Sequence, residues 1–221
     1  MTWDAMDDKA VIISDLGKRY PRSETFAFHD INICIPERTV LSLLGGNGSG
    51  KSSLLEVISG IRRPTTGSVT VFGKDPRTIR GRIGYLPQDF SLFNELTVKE
   101  NIRYFSVMNG QDKDIDQVLE LYDVKEFSEK RFSSLSGGMK RRTEIACILA
   151  SDPELVLMDE PTAGLDIDSC KELWEMVGRM KESGKTVIVA SHDMHDAIEH
   201  SDMTLYLRDG AQVDGFREGI L

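Results

Sequence analysis

The chain has 221 residues, is 40% hydrophobic and carries a formal net charge of −9; it is long enough to bury a sizeable core, and its acidity excludes the global basic footprint of an extended nucleic-acid partner. Its three cysteines, Cys34, Cys147 and Cys170, are far apart, with no CxxC pair or neighbouring histidine. They exclude a disulfide framework and a zinc site and fit single thiols in a reducing compartment. Residues 1–8 have no basic or apolar leader, and no run approaches ~18 consecutive apolar residues, so the expectation is one domain over 1–221 that is neither secreted nor membrane-spanning by itself.

Residues 10–16 and 31–35 are short apolar runs, with Ile31, Ile33 and Ile35 alternating with Asn32 and Cys34. They predict strands of an N-terminal antiparallel layer. Between them Tyr20, held before Pro21, is either a flat ring on which a nucleobase can stack or an ordinary half-buried aromatic. The run 39–44 predicts a further strand and leads into Gly45-Gly46-Asn47-Gly48-Ser49-Gly50-Lys51-Ser52, which satisfies G-x-x-x-x-G-K-[ST] between a predicted strand and a predicted helix, 51–59. Backbone N–H groups of such a loop approach phosphates closely because little side chain intervenes; the helix N-terminus and Lys51 add positive charge, and the Ser52 hydroxyl suits Mg²⁺. This is a nucleoside triphosphate site.

Strands are predicted at 68–72 and 82–86, followed by Gln88 and the unperiodic apolar segment 89–96. There Phe90, Leu92 and Phe93 are either core or an exposed patch awaiting another protein. Thr97 and Glu100 form a capping box opening a helix to about residue 108, and 114–122 is a second helix. A helical subdomain, roughly 89–150, is thus inserted into the α/β core.

Leu135-Ser136-Gly137-Gly138-Met139 precedes a predicted helix, 139–149, with Lys140, Arg141 and Arg142 in its first turn. Serine and two glycines before a helix form either a second anion cradle or a simple cap. Residues 155–158 are an unbroken apolar run ending in Asp159 and Glu160, which predicts a buried parallel strand with two carboxylates at its C-terminal end. Such acids call for a cation: Asp159 is assigned to Mg²⁺ and Glu160 to the water that attacks the triphosphate, as general base. A turn over 161–166 precedes a helix at 168–180. Residues 185–190 are the next buried strand, and His192 after it is a candidate γ-phosphate contact. A hairpin from 205 to 214 closes the chain.

The order and spacing of these features resemble the nucleotide-binding subunit of the ATP-binding cassette (ABC) transporter family over essentially the whole chain. The matching segments are an aromatic A-loop (Tyr20), Walker A (45–52, with Ser53 adjoining), Q-loop (Gln88), signature loop (135–139), Walker B (155–159, then Glu160), D-loop (163–166, with Asp166) and H-loop (His192). The resemblance implies a P-loop NTPase core with a mainly parallel sheet and an ATPase with ATP and Mg²⁺ as ligands. It places Gln88, Glu160 and His192 in catalysis, Ser52, Gln88 and Asp159 at the metal, and Tyr20 with Gly45, Gly46, Asn47, Gly48, Ser49, Gly50, Lys51, Ser52 and Ser53 at ATP. It also implies a head-to-tail pair, a second copy or a related subunit, in which Leu135, Ser136, Gly137, Gly138 and Met139 meet the partner's ATP and Asp166 communicates across the interface.

Met139 stands where the commonest family signature has Gln, and with Lys140-Arg141-Arg142 it resembles the branch serving ABC-2 type exporters. The expected function is therefore to power a membrane exporter from the cytoplasmic face of the membrane, docked on a separate polytopic subunit near Phe90, Leu92 and Phe93. The alternative is a soluble ABC-type assembly or scaffold ATPase, of iron-sulfur assembly or cell-division type, with no transport channel.

Overall fold

The computed structural model describes residues 8–89, 91–110 and 114–213. Among them, strands β1 (Lys9–Lys18), β2 (Phe28–Pro36), β3 (Val40–Gly45), β4 (Thr66–Val71), β5 (Ile83–Leu86), β6 (Leu155–Asp159), β7 (Thr186–Ser191), β8 (Met203–Arg208) and β9 (Ala211–Gln212) make one sheet, ordered β4-β1-β2-β9-β8-β3-β7-β6-β5. The expected antiparallel layer is its β4-β1-β2 end, while β8, β3, β7, β6 and β5 pair in parallel. Strand β9 joins the two parts, antiparallel to β8 and bridged to β2 at His29.

The helices are α1 (Lys51–Ile58), α2 (Val98–Met108), α3 (Ile115–Leu121), α4 (Gly137–Leu149), α5 (Ile167–Glu182) and α6 (Met194–Glu199). They cover both faces of the parallel strands, which is why those strands are apolar at nearly every position. Alternation sorts the side chains. Leu41, Leu43, Leu155, Leu157, Ile188 and Ala190 share a core with Leu54, Leu55 and Ile58 of α1. Their neighbours Val156, Met158, Val187 and Val189 pack on the other face with residues of α2, α3, α4 and α5.

Two helices start earlier than the sequence pattern suggests. Ser136 is the N-cap of α4, accepting from Met139 N–H at 3.3 Å, so Gly137 and Gly138 form its first turn. Asp166 caps α5 in the same way, from Ser169 N–H at 2.9 Å. Helix α6 has no counterpart in the sequence reading, since six residues are too few for a helical period to stand out. In the closing hairpin, residue 214 lies outside the described residues.

The segment after β5 is set by Asn101, fully buried on α2. Its amide donates to the carbonyls of Phe93 at 3.1 Å and Thr97 at 3.0 Å, and its Oδ1 accepts from Phe93 N–H at 3.0 Å. Leu92 corrects the expectation that it serves a docking patch: it is 7% exposed and packs in the core with Val98 and Ile102. Phe90 lies outside the described residues. Phe93 does face outward, 47% exposed. Because Asn101→Ala strands these backbone groups, it is expected to cost about 1–3 kcal/mol, seen as a lower urea midpoint with an unchanged slope; an unchanged midpoint would show that water replaces the side chain without loss.

Candidate nucleotide site

Strands β3, β7 and β6 are neighbours and parallel, so the loops leaving their carboxyl ends emerge side by side. Between them lies a cavity of about 410 Å³, lined by Ala27, residues 47–53, Gln88, Glu160, Ala163 and His192. Its floor is the N-terminus of α1. Gly50, the N-cap, has φ +101° and brings no side chain to cap the helix. A Cβ there would stand 2.4 Å from the carbonyl oxygen of Ala27, the residue just before β2, so glycine is required both by conformation and by the closeness of that backbone. The free N–H groups of the first turn, with no acidic side chain among them, favour an anion.

Lys51, 6% exposed, donates to the carbonyls of Gly45 at 2.7 Å and Gly46 at 3.2 Å, and its Nζ lies 3.2 Å from Glu160 Oε1. The other Glu160 oxygen is 2.7 Å from His192 Nδ1. Glu160 is 6% exposed, whereas the His192 side chain is 60% exposed and reaches in from the cavity rim. Asp159, 2% exposed, lies beneath and touches the site through Ser52. Burial raises its carboxyl above the ordinary value, the nearby Glu160 charge adds to the rise, and the hydrogen bond with Ser52 opposes it. No described residue hydrogen-bonds Asp159 Oδ1 or Glu160 Oε1.

The remaining sequence candidates fall around this centre. Tyr20 is absent from the cavity lining but adjoins it: its hydroxyl donates to Glu56 at 3.1 Å and lies 3.0 Å from Ser53 Oγ, with Lys18 and Arg62 near the ring. Residues 135–139 do not line the cavity. Ser136 and Gly137 are exposed; Leu135 is buried and Met139 packs on the core, so their side chains anchor the loop and do not face outward. A Cβ at Gly138 would meet Ser169 Oγ at 2.3 Å, because α4 closely approaches the start of α5. Asp166 is exposed, and its hydrogen bonds from Ser169 hold its carboxyl below the usual value.

The sequence reading gave Arg141 no role at the site and passed over Glu144. Arg141, 9% exposed, turns inward and donates to the carbonyls of Glu160 and Pro161 and to Glu144 Oε2, each at 2.9 Å. Burial pushes the Glu144 carboxyl up, against the pull of Arg141. A signal was present: two opposite charges three residues apart, on a helix turn beside Ile145 and Ala146.

The family model described as ABC transporter matches residues 28–163. ABC transporter A family member 8 of Dictyostelium discoideum is 34% identical over 224 residues, covering 95% of this chain and 27% of that protein. Nod factor export ATP-binding protein I of Azorhizobium caulinodans is 33% identical over 208 residues, 90% of this chain and 65% of that one. The chain thus spans less than two-thirds of each of these relatives. Among solved structures, the dimeric ATP-binding cassette MJ0796 in a post-hydrolysis state, bound to ADP and Pi, superposes with a TM-score of 0.82 at 28% identity, covering 94% of this chain and 98% of that one.

The chain belongs to the ABC transporter family. It is an ATP-binding cassette of that family, and an ATPase.

Asp159 combines deep burial, a raised carboxyl and an oxygen without a hydrogen bond. Asp159→Asn is therefore expected to raise the melting temperature of the nucleotide-free chain at neutral pH by about 2–4 °C, the effect of about 1 kcal/mol of relieved desolvation in a chain of this size. A fall would show that the carboxylate is better paired than its geometry indicates.

Proposed function

We propose that this chain is the ATP-hydrolysing subunit of a membrane exporter, acting as one of a pair of cassettes at the cytoplasmic face of the membrane. The observation that carries the reading is the meeting of Lys51, Glu160 and His192 beside an uncapped helix N-terminus at the carboxyl end of the parallel strands.

In this reading the backbone N–H groups of residues 45–53 and the Lys51 ammonium take the phosphates, and Tyr20 stacks on adenine beside Ser53. Mg²⁺ fits the donors present: the Ser52 hydroxyl, the Gln88 side chain and the free Oδ1 of Asp159. Asp159 is the one carboxylate of this set, and Mg²⁺ commonly takes one or two carboxylates and completes its shell with phosphate and water. When bound, the ion neutralises charge on the phosphate oxygens. Lys51 exchanges the Gly45 and Gly46 carbonyls and the Glu160 carboxylate for phosphate oxygens, leaving Glu160 Oε1 to accept the proton of the water attacking the γ-phosphorus. His192 holds the other oxygen, fixing the plane of the carboxylate, and reaches toward the γ-phosphate with Nε2.

A second cassette, another copy or a related chain, completes the site with Ser136, Gly137 and Gly138, and Asp166 lies at the junction. Two observations support this: Ser136 and Gly137 face outward, away from the lining of their own chain's cavity, and the similar cassette MJ0796 is dimeric. The run Met139-Lys140-Arg141-Arg142 and the relative named for Nod factor export favour an exporter.

Among the described residues no helix is long and apolar enough to cross a membrane. In this reading the channel is a separate polytopic subunit. Phe93 is its docking point. The ring meets Tyr104 edge-on with centroids 4.9 Å apart, and exposed Tyr104, Val107 and Met108 continue the apolar strip along one face of α2.

Phe93→Asp is expected to leave the ATPase rate of the isolated chain within about twofold, as for other surface changes. Recovery of a polytopic protein with the tagged chain from detergent-solubilised membranes should fall about 30-fold, the loss of one interface hot spot. Recovery of a soluble partner alone, by wild type and variant alike, would favour the assembly-ATPase alternative.

A further inference from the structure

The Glu160 backbone is held from two sides. Its φ is +47°, in the left-handed region that side chains larger than glycine disfavour, and Pro161 follows. Its N–H donates to the Ala190 carbonyl on β7 at 2.9 Å. Its carbonyl accepts from Arg141 Nη2 at 2.9 Å, and the next carbonyl, of Pro161, accepts from Arg141 Nε at the same distance. One guanidinium thus grips both carbonyls that follow the turn. Its third contact is Glu144 Oε2, within the same helix, and both residues are buried, 9% and 8% exposed. This is a site for a planar fork of donors: a lysine ammonium is a single point charge and cannot span two consecutive carbonyls and a carboxylate.

The direction in which the Glu160 carboxylate points is set by the backbone angles at its own Cα. Those angles are set in turn by the bonds on either side of it. We propose that Arg141 is the positioning residue for Glu160, fixing its backbone so that the carboxylate faces Lys51 and His192. The proposal rests on the reading of Glu160 as general base. Because Arg141 stands on the first turns of α4, a few residues after the exposed Ser136 and Gly137, it also makes a direct mechanical link between the outward-facing cradle and the catalytic carboxylate of the same chain.

The test is steady-state ATP hydrolysis by purified wild type, Arg141→Lys, Glu160→Gln and the double variant, alongside binding of a fluorescent ATP analogue and thermal melting. Arg141→Lys is expected to lower kcat by about 10²-fold, the penalty for misplacing a reacting group by about an ångström, with the KM for ATP and the analogue's Kd nearly unchanged. In the Glu160→Gln background the same change should have little further effect, since the group it positions is gone. A residue with a merely structural role would lower both backgrounds by the same factor. Glu144→Gln leaves both carbonyl bonds available and loosens only the third contact; it is expected to lower kcat about threefold with an unchanged KM, and it serves as the test if Arg141→Lys fails to fold. Wild-type turnover in the folded Arg141→Lys chain, equal losses in both backgrounds, or wild-type turnover in Glu144→Gln where it stands in for an unfolded Arg141→Lys, would overturn the proposal. Near-normal turnover by Glu160→Gln itself would instead overturn the general-base reading.

Discussion

Three formal charges, on Lys51, Asp159 and Glu160, lie almost out of reach of water at one end of the parallel sheet. One cation faces two anions, and an unbalanced buried charge is costly. Within the chain the balance is made by bonds of Lys51 to carbonyls of its own loop, an ion pair without hydrogen-bond alignment to Glu160, and a histidine at the rim. Much of the fold serves to hold this arrangement. The placing of β3 beside β7 and β7 beside β6 brings three distant loops together, and helices on both faces allow those strands to be mostly apolar. A triphosphate with its cation offers every one of these groups a stronger partner, which gives binding a reason to reorganise the site.

The pattern most legible in the sequence was the one with the strictest stereochemistry. Residues 45–52 must be nearly free of side chains for the main chain to approach phosphate, and the apolar run 155–158 ending in two acids has few explanations other than a buried strand facing a cation. Both stand in the structure at the expected place. The capping box of Thr97 and Glu100 is likewise present, with both reciprocal bonds made. What period and composition could not resolve was the facing of single side chains in the loop after β5. Leu92 and Phe93 are adjacent in sequence and similar in hydropathy, yet one is core and the other exposed; Asn101, eight residues beyond Phe93, holds the backbone there through hydrogen bonds that neither period nor composition signals.

The basic run after the signature glycines carried a similar ambiguity. Sequence places the three cations together in the first turn of a helix, and a helix distributes three consecutive residues over 200° of its circumference. Arg141 alone is drawn fully inward, where Glu144 and two backbone carbonyls satisfy its donors. Its neighbours remain nearer the surface: Lys140 lies by the Phe132 ring, and Arg142 by Phe127 and Glu172. The same helix thus presents serine and glycine to the outside and a guanidinium to the carboxyl end of β6.

A single chain lines its cavity with one set of phosphate donors, while Ser136 and Gly137 point elsewhere. The account therefore requires two chains to complete one reaction centre, with nucleotide as the bridge. Sedimentation velocity of the Glu160→Gln chain, in which hydrolysis is slowed but the phosphate loop is intact, decides this. With ATP and Mg²⁺ the chain is expected to sediment at about twice the monomer mass and to return to monomer when ADP replaces ATP. A monomer at ATP concentrations that saturate binding would contradict a composite site built from two copies of this chain.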